Sequence, residues 1–483
     1  MKATNEKKAE GYSSPYNFEG RIPLSQAIPL GLQHVMAMFI GNLTPLIIVM
    51  GVCGLTADAG FGELRTALLQ NAMIIAGVVT LVQMFSIGPV GGKVPIVMGT
   101  SSGFLGVLNN TVAACGGGIL AYGAIMGGIF ESFLGAFLKP LRKFFPPIVT
   151  GSVVIAIGLS LLGVGINYFC GGSGKADYGS LPNLFLGFVV LVVIVLLKHF
   201  APQKSILSSS AILFGILAGY VVAIIMTLTL PHTGIDADGV QYTYSWVVDF
   251  AQVKNAAWIA VPSFIGFGAL SDVKITFQAS AIIPIGIMFI VTAIETVGDI
   301  SACIEGGMDR EATDSELSGG VICDGLGSAF AALFGVLPNT SFSQNVGLVS
   351  LTKVVNRFAI SMGAIFLILC GFCPKIGALM SIMPQSVLGG AAVMMFASIL
   401  ISGIQLITKH PIGSREITII SVAIGLGYGL GATTGATAHL PYYVQLIFGG
   451  SGIVPCSLAA IILNIVLPKE SKPVREMWEL EDK

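Results

Sequence analysis

Charged residues are scarce in this chain. Only 10% of its 483 residues are Asp, Glu, Lys or Arg, whereas ordinary soluble domains carry about 25%. Hydrophobic residues make up 54% of the chain, and its mean hydropathy is +0.87. A soluble fold is therefore excluded, and we expect an all-α protein that crosses a membrane many times. The net charge of −1 gives no electrostatic reason to expect a nucleic-acid partner.

The sequence also lacks the motifs of several functional classes. The histidines form no HExxH-type ligand set, no nucleophile–base pattern is present, and the phosphate-binding motif GxxxxGK[ST] is absent. We therefore expect no metal site, no cofactor, no enzymatic activity and no ATP-driven pump. The N-terminal residues up to Pro23 are polar, so they are predicted to form a cytoplasmic tail rather than a signal peptide.

Apolar segments are plentiful, and most approach the ~20 residues that a helix needs to cross a bilayer. We predict fourteen, at 26–51, 66–88, 94–108, 112–138, 146–166, 182–198, 206–230, 279–300, 319–336, 342–354, 358–372, 384–404, 415–432 and 440–467. With cytoplasmic termini, only five of the 24 Lys and Arg residues face outside: Arg65, Lys175, Lys254, Lys274 and Lys375. This bias follows the positive-inside rule, which supports that orientation.

A stretch of mixed polarity, residues 231–278, divides the segments into two halves of seven. An odd number of segments forces the halves into opposite orientations, which predicts an inverted repeat. The third segment of each half is short, and the two echo each other, with Met98-Gly-Thr-Ser-Ser-Gly-Phe104 matched by Asn339-Thr-Ser-Phe-Ser-Gln344. Broken segments at matching positions predict a binding site near the membrane midplane, although re-entrant turns without a ligand are an alternative.

Polar side chains lie at these breaks and in the segments beside them. Glu295 and Asp299 are one helical turn apart, Asp324 lies in the ninth segment, and Gln344-Asn345 opens the tenth. A charge at the centre of a membrane helix costs roughly 2.5–3.5 kcal/mol on the translocon scale. Residues this costly usually mark a substrate or ion path, so they are the first candidates for a transport site.

Four sequence motifs at these positions resemble those of the nucleobase–ascorbate transporter family. The motifs are Gln33-His34 in the first segment, Glu295-Thr-Val-Gly-Asp299 in the eighth, Asp324-Gly-Leu-Gly in the ninth, and the signature Gln344-Asn-Val-Gly-Leu-Val-Ser-Leu-Thr352-Lys353 in the tenth. They occur in order over essentially the whole chain. Each motif is weak by itself, but the combination is specific.

The resemblance implies fourteen segments in two inverted repeats, a core domain that moves against a gate domain, a homodimer and a location in the plasma membrane. It divides the chain into an N-terminal tail (1–25), core (26–138), gate (139–230), extracellular connector (231–278), core (279–383), gate (384–467) and C-terminal tail (468–483). Within the family, the residue that opens the signature sorts with the substrate: glutamate with uracil, proline with ascorbate, and Gln-Asn with xanthine and uric acid.

Gln344-Asn345 therefore implies import of xanthine or uric acid, coupled to protons or, as an open alternative, to sodium. Another nucleobase, such as uracil, is the alternative within the family. An anion exchanger or channel of the same general fold is the alternative from another class, and its site would tend to be cationic. No residue in the sequence separates xanthine from uric acid.

The resemblance also implies roles for individual residues. Glu295 is expected to accept two ring N–H groups of the purine, and Gln344 to pair with a ring N–H and a carbonyl. Asn345 either binds the substrate or shapes the helix break. Ser102 matches the position where the third segment of the family offers backbone groups to the ligand. Many relatives have an aromatic residue there, so the serine departs from the pattern and gives no reason to expect base stacking. His34 either contacts the acidic site or is an ordinary core histidine.

The remaining candidates shape the site or carry the coupled ion. Asp299 shares a helix face with Glu295, and it either carries a proton or holds the broken helix in place. Asp324 has the same two alternatives. Thr352 closes the signature and is expected to line the substrate path. Phe104 or Phe342 could supply an aromatic face, although ordinary packing is the simpler expectation for both.

Overall fold

The chain folds into apolar helices joined by short turns. The computed structural model describes residues 12–55, 60–108, 146–172, 174–202, 206–235, 240–271, 279–408, 411–433, 435–436, 439–441 and 452–468. The predicted fourth segment (112–138), residues 1–11 of the predicted N-terminal tail, residues 442–451 of the predicted fourteenth segment and residues 469–483 of the predicted C-terminal tail lie outside these ranges.

Most of the elements are helices, and a few strands of three residues each lie between them. The first half contains α1 (Leu24–Val52), α2 (Gly62–Phe85), β1 (Met98–Thr100), α3 (Pro147–Phe169), α4 (Leu181–Phe200), α5 (Ile206–Ser209) and α6 (Ala211–Thr229). The connector contains β2 (Thr233–Ile235), β3 (Gln241–Thr243), α7 (Ala251–Asn255) and a 3-10 turn (Gly268–Leu270). The second half contains α8 (Ala279–Met308), α9 (Asp314–Leu333), β4 (Asn339–Ser341), α10 (Ser343–Thr352), α11 (Arg357–Gly371), α12 (Pro374–Ser381), α13 (Gln385–Thr408), α14 (Ser414–Ala432) and α15 (Ile453–Val466).

Several helices are long and apolar enough to cross a membrane. Within the described ranges there are six, namely α1, α2, α3, α4, α6 and α13. Helices α11 and α12 are apolar enough only as a pair, and the bend of 81° between them is typical of a broken span or a re-entrant loop. The short helix α12 falls in a predicted loop, where Pro374 occupies its first turn and begins a new helix. Helix α8 continues to Met308, beyond the predicted end at residue 300. The count of fourteen spans stays a prediction.

The helices pack in two groups. Helices α1, α2 and α8–α12 contact each other extensively, and so do α3, α4, α6 and α13–α15. In the second group α3 crosses α13 closely because glycines line the contact: a Cβ at Gly158 would lie 2.6 Å from the Leu400 backbone nitrogen, and one at Gly403 would lie 2.7 Å from that of Ile155. The division of the chain into a core and a gate domain stays a prediction.

The two short segments meet as a pair of antiparallel strands. Met98 of β1 lies opposite Ser341 of β4, and Thr100 lies opposite Asn339. All six residues of these strands are buried. The residues that echo each other in sequence are therefore paired in space, and each strand leads into the broken segment of its own half.

Hydroxyl groups from corresponding helices satisfy the outer edges of this strand pair. Thr80 of α2 accepts from the Met98 N–H (2.9 Å) and donates to its carbonyl (3.2 Å). Ser328 of α9 makes the same two bonds with Asn339, at 2.8 and 2.9 Å. Met98 and Asn339 are the first residues of their strands, and α2 and α9 are the second helices of their halves. This equivalence is what an inverted repeat requires.

The symmetry extends to the third residue of each strand. The side-chain oxygen of Asn42 in α1 accepts from the N–H and the hydroxyl of Thr100. The carboxylate of Asp299 in α8 accepts from the hydroxyl of Ser341. Helices α1 and α8 are the first of their halves, so equivalent helices hold equivalent strand positions.

We expect Thr80→Val to destabilise the protein by about 1–3 kcal/mol, because it leaves a buried N–H and a buried carbonyl without their partner. Thr66→Val in the same helix is the matched control, since the Thr66 hydroxyl donates only to the Gly62 carbonyl of its own turn. Thermal unfolding of the detergent-purified protein measures both. Equal melting temperatures for the two variants would contradict the proposal that the Thr80 hydroxyl holds the start of β1.

Candidate functional site

A narrow cleft lies between the strand pair and the second helix group. One wall, at the strand pair, consists of Gly41, Thr100, Ser102, Gly103, Glu295, Thr340, Ser341, Phe342 and Ser343. The opposite wall consists of Ile157, Met395 and Ile399. The volume open to the centres of water molecules is about 30 Å³. This holds about two waters, so the walls must separate before the cleft can enclose a larger ligand.

Two helix starts point toward this cleft. Residues 105–108 are helical and follow a turn in which the Leu105 N–H donates to the Ser102 carbonyl. Helix α10 begins at Ser343, directly after β4. The first N–H groups of a helix have no partner within it and carry the positive end of its dipole. Ser102 is one of the lining residues, and its role in binding stays a prediction.

Glu295 of α8 is the acidic residue of the lining. Its Oε2 atom is buried and has no hydrogen-bond partner among the described residues. A Cβ added at Gly103 would lie 3.8 Å from Oε2, so the oxygen lies beside the turn that precedes residues 105–108. A buried acceptor without a partner is costly, and a ligand N–H group would remove that cost.

Asp299 lies one turn further along α8 and has well-defined partners. The Ser341 hydroxyl donates to Oδ2 at 2.7 Å, and the Ser343 hydroxyl lies 2.9 and 3.0 Å from Oδ1 and Oδ2. These serines are the last residue of β4 and the first of α10. Asp299 therefore ties α8 to the break between strand and helix, while Glu295 faces the cleft.

Asp324 of α9 is fully buried. Its Oδ2 atom accepts from the hydroxyl of Thr296 in α8 and from that of Thr340 in β4, the latter at 3.3 Å. Its Oδ1 atom has no partner in the described part of the chain. Asp324 and Asp299 thus hold neighbouring residues of β4, and Thr340 and Ser341 bring both carboxyl groups to the strand beside Glu295.

His34 of α1 contacts the opening of the signature. The Asn345 amide nitrogen donates to the His34 carbonyl at 2.9 Å and lies 3.3 Å from its Nδ1 atom. The carbonyl fixes the orientation of the amide, because a carbonyl can only accept. Nδ1 must then accept as well, so the ring is neutral with its proton on Nε2. His34 therefore bonds to Asn345 rather than to Glu295, Asp299 or Asp324.

Gln344 and Thr352 are the remaining candidates from the signature, and they lie at opposite ends of α10. Gln344 lies in the first turn of α10, but its side chain is outside the described part of the structure. The Thr352 hydroxyl donates to the Leu348 carbonyl at 2.8 Å and accepts from the Val354 N–H at 3.3 Å. Thr352 thus shapes the end of α10 and is not among the residues that line the cleft.

Of the two aromatic candidates, only Phe342 lines the cleft. Phe104 is fully buried and packs edge-on against Phe289, with ring centroids 4.7 Å apart. The Phe342 ring lies between two glycines: a Cβ at Gly41 would be 2.8 Å from its Cε1 atom, and one at Gly99 would be 2.7 Å from its Cε2 atom.

The sequence analysis did not identify some residues of the site. Asn42 is fully buried and holds β1, and its polarity inside an apolar segment was a usable signal. Ile157 and Met395 come from α3 and α13 and close the opposite wall. Apolar residues in apolar helices carry no such signal.

Comparison with known proteins gives consistent similarities. The model of the Permease family (Xan_ur_permease) matches residues 25–435. The xanthine permease of Bacillus subtilis (strain 168) is 35% identical over 450 residues, which cover 92% of this chain and 95% of that protein. The uric acid permease PucK of the same organism is 34% identical over 441 residues, covering 91% and 95%.

Among solved structures, the transmembrane domain of the cyanobacterial bicarbonate transporter BicA is similar. Its TM-score is 0.52 at 15% sequence identity, and the alignment covers 93% of this chain and 100% of that one. Identity this low is informative about the fold alone. The similarity confirms the predicted fold class, an all-α multi-pass membrane protein built from inverted repeats.

We expect Gly41→Ala to destabilise the protein by about 1–3 kcal/mol, because the new Cβ overlaps Phe342 in a space that is already filled. Adding Phe342→Leu removes the overlapping ring atoms and should restore part of the loss. Gly425→Ala is the control, since no other atom lies within 4 Å of its added Cβ. Thermal unfolding of the three variants checks this, and a stable Gly41→Ala protein would argue against the packing described.

Proposed function

We propose, since the chain belongs to the nucleobase–ascorbate transporter family, that it imports an oxidised purine, xanthine or uric acid, together with protons. Relatives named as xanthine and uric acid permeases match over nine-tenths of its length. The lack of metal and nucleophile motifs supports a carrier rather than an enzyme.

The observation that carries the proposal is the buried Glu295 Oε2 atom, which has no partner among the described residues and belongs to the cleft lining. Xanthine and uric acid present adjacent ring N–H groups, and a carboxylate can accept two at once. Such charge-assisted bonds are roughly twice as strong as neutral ones. The turn at Ser102, before helical residues 105–108, and the start of α10 at Ser343 offer N–H groups that suit the purine carbonyls.

Gln344 is proposed to complete recognition, because its amide pairs with a ring N–H and a carbonyl together. Phe342 supplies an apolar ring surface in the lining. A uracil carrier is the alternative within the family, but the Gln344-Asn345 pair that opens the signature favours a purine substrate. Inorganic anion transport, suggested by the fold shared with BicA, fits poorly with a carboxylate in the cleft.

Movement of the core against the gate is proposed to carry the substrate. The cleft is lined from both helix groups, so separating them opens it and closing them encloses the ligand. Without a nucleotide site, the energy comes from an ion gradient, for which Glu295, Asp299 and Asp324 are candidate proton carriers. Asp324 Oδ1 has no described partner and is the better placed of the two aspartates.

We further propose that the protein is a homodimer in the plasma membrane. Helix α4 has a mean hydropathy of 2.5, yet only 28% of its most apolar window is buried within the chain. Its outer face therefore suits lipid or a second copy of the chain, as expected for a homodimer. The charge bias places both termini in the cytoplasm, and import places the protein in the plasma membrane.

We expect Glu295→Gln to abolish xanthine uptake while the protein still reaches the membrane, because the amide replaces one acceptor oxygen by donors. Uptake of labelled xanthine in cells without their own purine carriers, with immunoblotting of membranes, measures both properties. Glu63→Gln, at an exposed first-turn position of α2, is the matched control. Normal uptake by Glu295→Gln would remove this residue from the site.

We expect wild-type xanthine uptake to fall on adding a protonophore and to be inhibited by excess uric acid but not by uracil. In Gln344→Glu the donors of the amide are lost, so inhibition by uric acid should weaken several-fold. The same cells and a panel of unlabelled competitors test this. An unchanged inhibition profile would exclude the pairing role of Gln344, and insensitivity to the protonophore would exclude proton coupling.

A further inference from the structure

A second and larger cavity lies on the face that the charge distribution predicts to be external. It is bounded by the start of α2, the turn between α3 and α4, the connector after β3, and the link between α12 and α13. Its volume is about 620 Å³, within the range of about 300–1,000 Å³ typical of ligand sites. We call this cavity the outer vestibule.

Gln385, the first residue of α13, supplies an unused acceptor in the outer vestibule. Its Oε1 atom is buried and has no hydrogen-bond partner in the described part of the chain. The oxygen lies against Gly172, which has a φ of +97°, and a Cβ at that position would overlap it. Packing thus holds the amide oxygen in place without giving it a described donor, and an N–H group of a ligand in the cavity would remove the cost of that buried acceptor.

Tyr244 contributes an aromatic ring to the lining of the same cavity. Its ring stacks on that of the buried Trp246, with centroids 5.3 Å apart and planes inclined by 19°. The residue between them, Ser245, is fixed because its N–H and its hydroxyl both donate to Asp177 Oδ2 at 2.8 Å. The aromatic surface is therefore held rigidly rather than left on a loose loop.

Donors complete the lining. Lys175 brings an ammonium group from the α3–α4 turn, and the guanidinium of Arg65 donates to the carbonyls of Leu55 (2.9 Å) and Ser381 (3.1 Å) at the floor. One carboxylate also lines the cavity: Asp249, whose Oδ1 accepts from the Ala251 N–H. The cavity thus combines an acceptor for N–H groups, a donor for carbonyl oxygens and an aromatic ring. This combination suits a planar heterocycle that carries both N–H and carbonyl groups.

We propose that the outer vestibule is a second purine-binding site, which captures the substrate before it enters the cleft. The proposal rests on the function proposed above. Helix α13 connects the two sites: Gln385 is its first residue, and Met395 in the cleft lies ten residues on, about 15 Å away along the helix. Substrate held at Gln385 is therefore close to the cleft and aligned with one of its walls.

Equilibrium dialysis of the purified full-length protein with labelled xanthine tests this proposal. We expect two xanthines per wild-type chain and one per chain in Glu295→Gln, whose cleft site is lost. In the Glu295→Gln background, Gln385→Leu should weaken the remaining binding about fivefold or more, as expected for one lost hydrogen bond. Lys175→Gln is a second variant in case Gln385→Leu fails to fold. Lys254→Gln, which removes a charge on the same face outside the lining, should change nothing.

The outcomes separate this inference from the proposed function. One xanthine per wild-type chain and none in Glu295→Gln would overturn the second site and leave the cleft as the only one. Residual binding in Glu295→Gln that neither Gln385→Leu nor Lys175→Gln weakens would overturn its assignment to the outer vestibule. A folded wild-type protein that neither binds nor transports xanthine would refute the proposed function, and this inference with it.

Discussion

The structure depends on satisfying the backbone of two short strands in the middle of a membrane protein. Lipid offers no hydrogen-bond partners, so each N–H and carbonyl at the β1–β4 pair must find one within the chain. The strands bond to each other, and hydroxyls of Thr80 and Ser328 satisfy their first residues from outside. This arrangement fixes where both broken segments begin, and with them the helix starts that face the cleft.

The three acidic residues of the site differ in how many of their carboxylate oxygens accept hydrogen bonds from neighbouring residues. Asp299 accepts from Ser341 and Ser343 with both carboxylate oxygens, so it fixes the geometry of the break. Asp324 uses one oxygen for the hydroxyls of α8 and β4. Glu295 keeps a buried oxygen free of described partners in the cleft itself. The same residue class thus supports the fold in one place and, in the proposed function, binds the substrate in another, and the difference is set by neighbouring hydroxyl groups.

The cleft joins two helix groups that pack differently. On one side lie polar groups at the strand pair, and on the other lie Ile157, Met395 and Ile399 from closely crossed helices. A polar wall can specify a ligand, whereas an apolar wall can slide past it without losing hydrogen bonds. Helix α13 belongs to the apolar wall and also reaches the outer vestibule, so it lines both cavities.

The sequence by itself determined the membrane class, the two halves, the short third and tenth segments, and the position of Glu295 and Asp299 on one helix face. These follow from local cost: an apolar run, a proline break or a lone acid is visible wherever it stands. Only the tertiary structure decided that Asp299 bonds to Ser341, that His34 bonds to Asn345, and that Ile157 and Met395 close the cleft. Those contacts join residues far apart in the chain. Hydropathy records what each residue costs in lipid, but it does not record which partner offsets that cost.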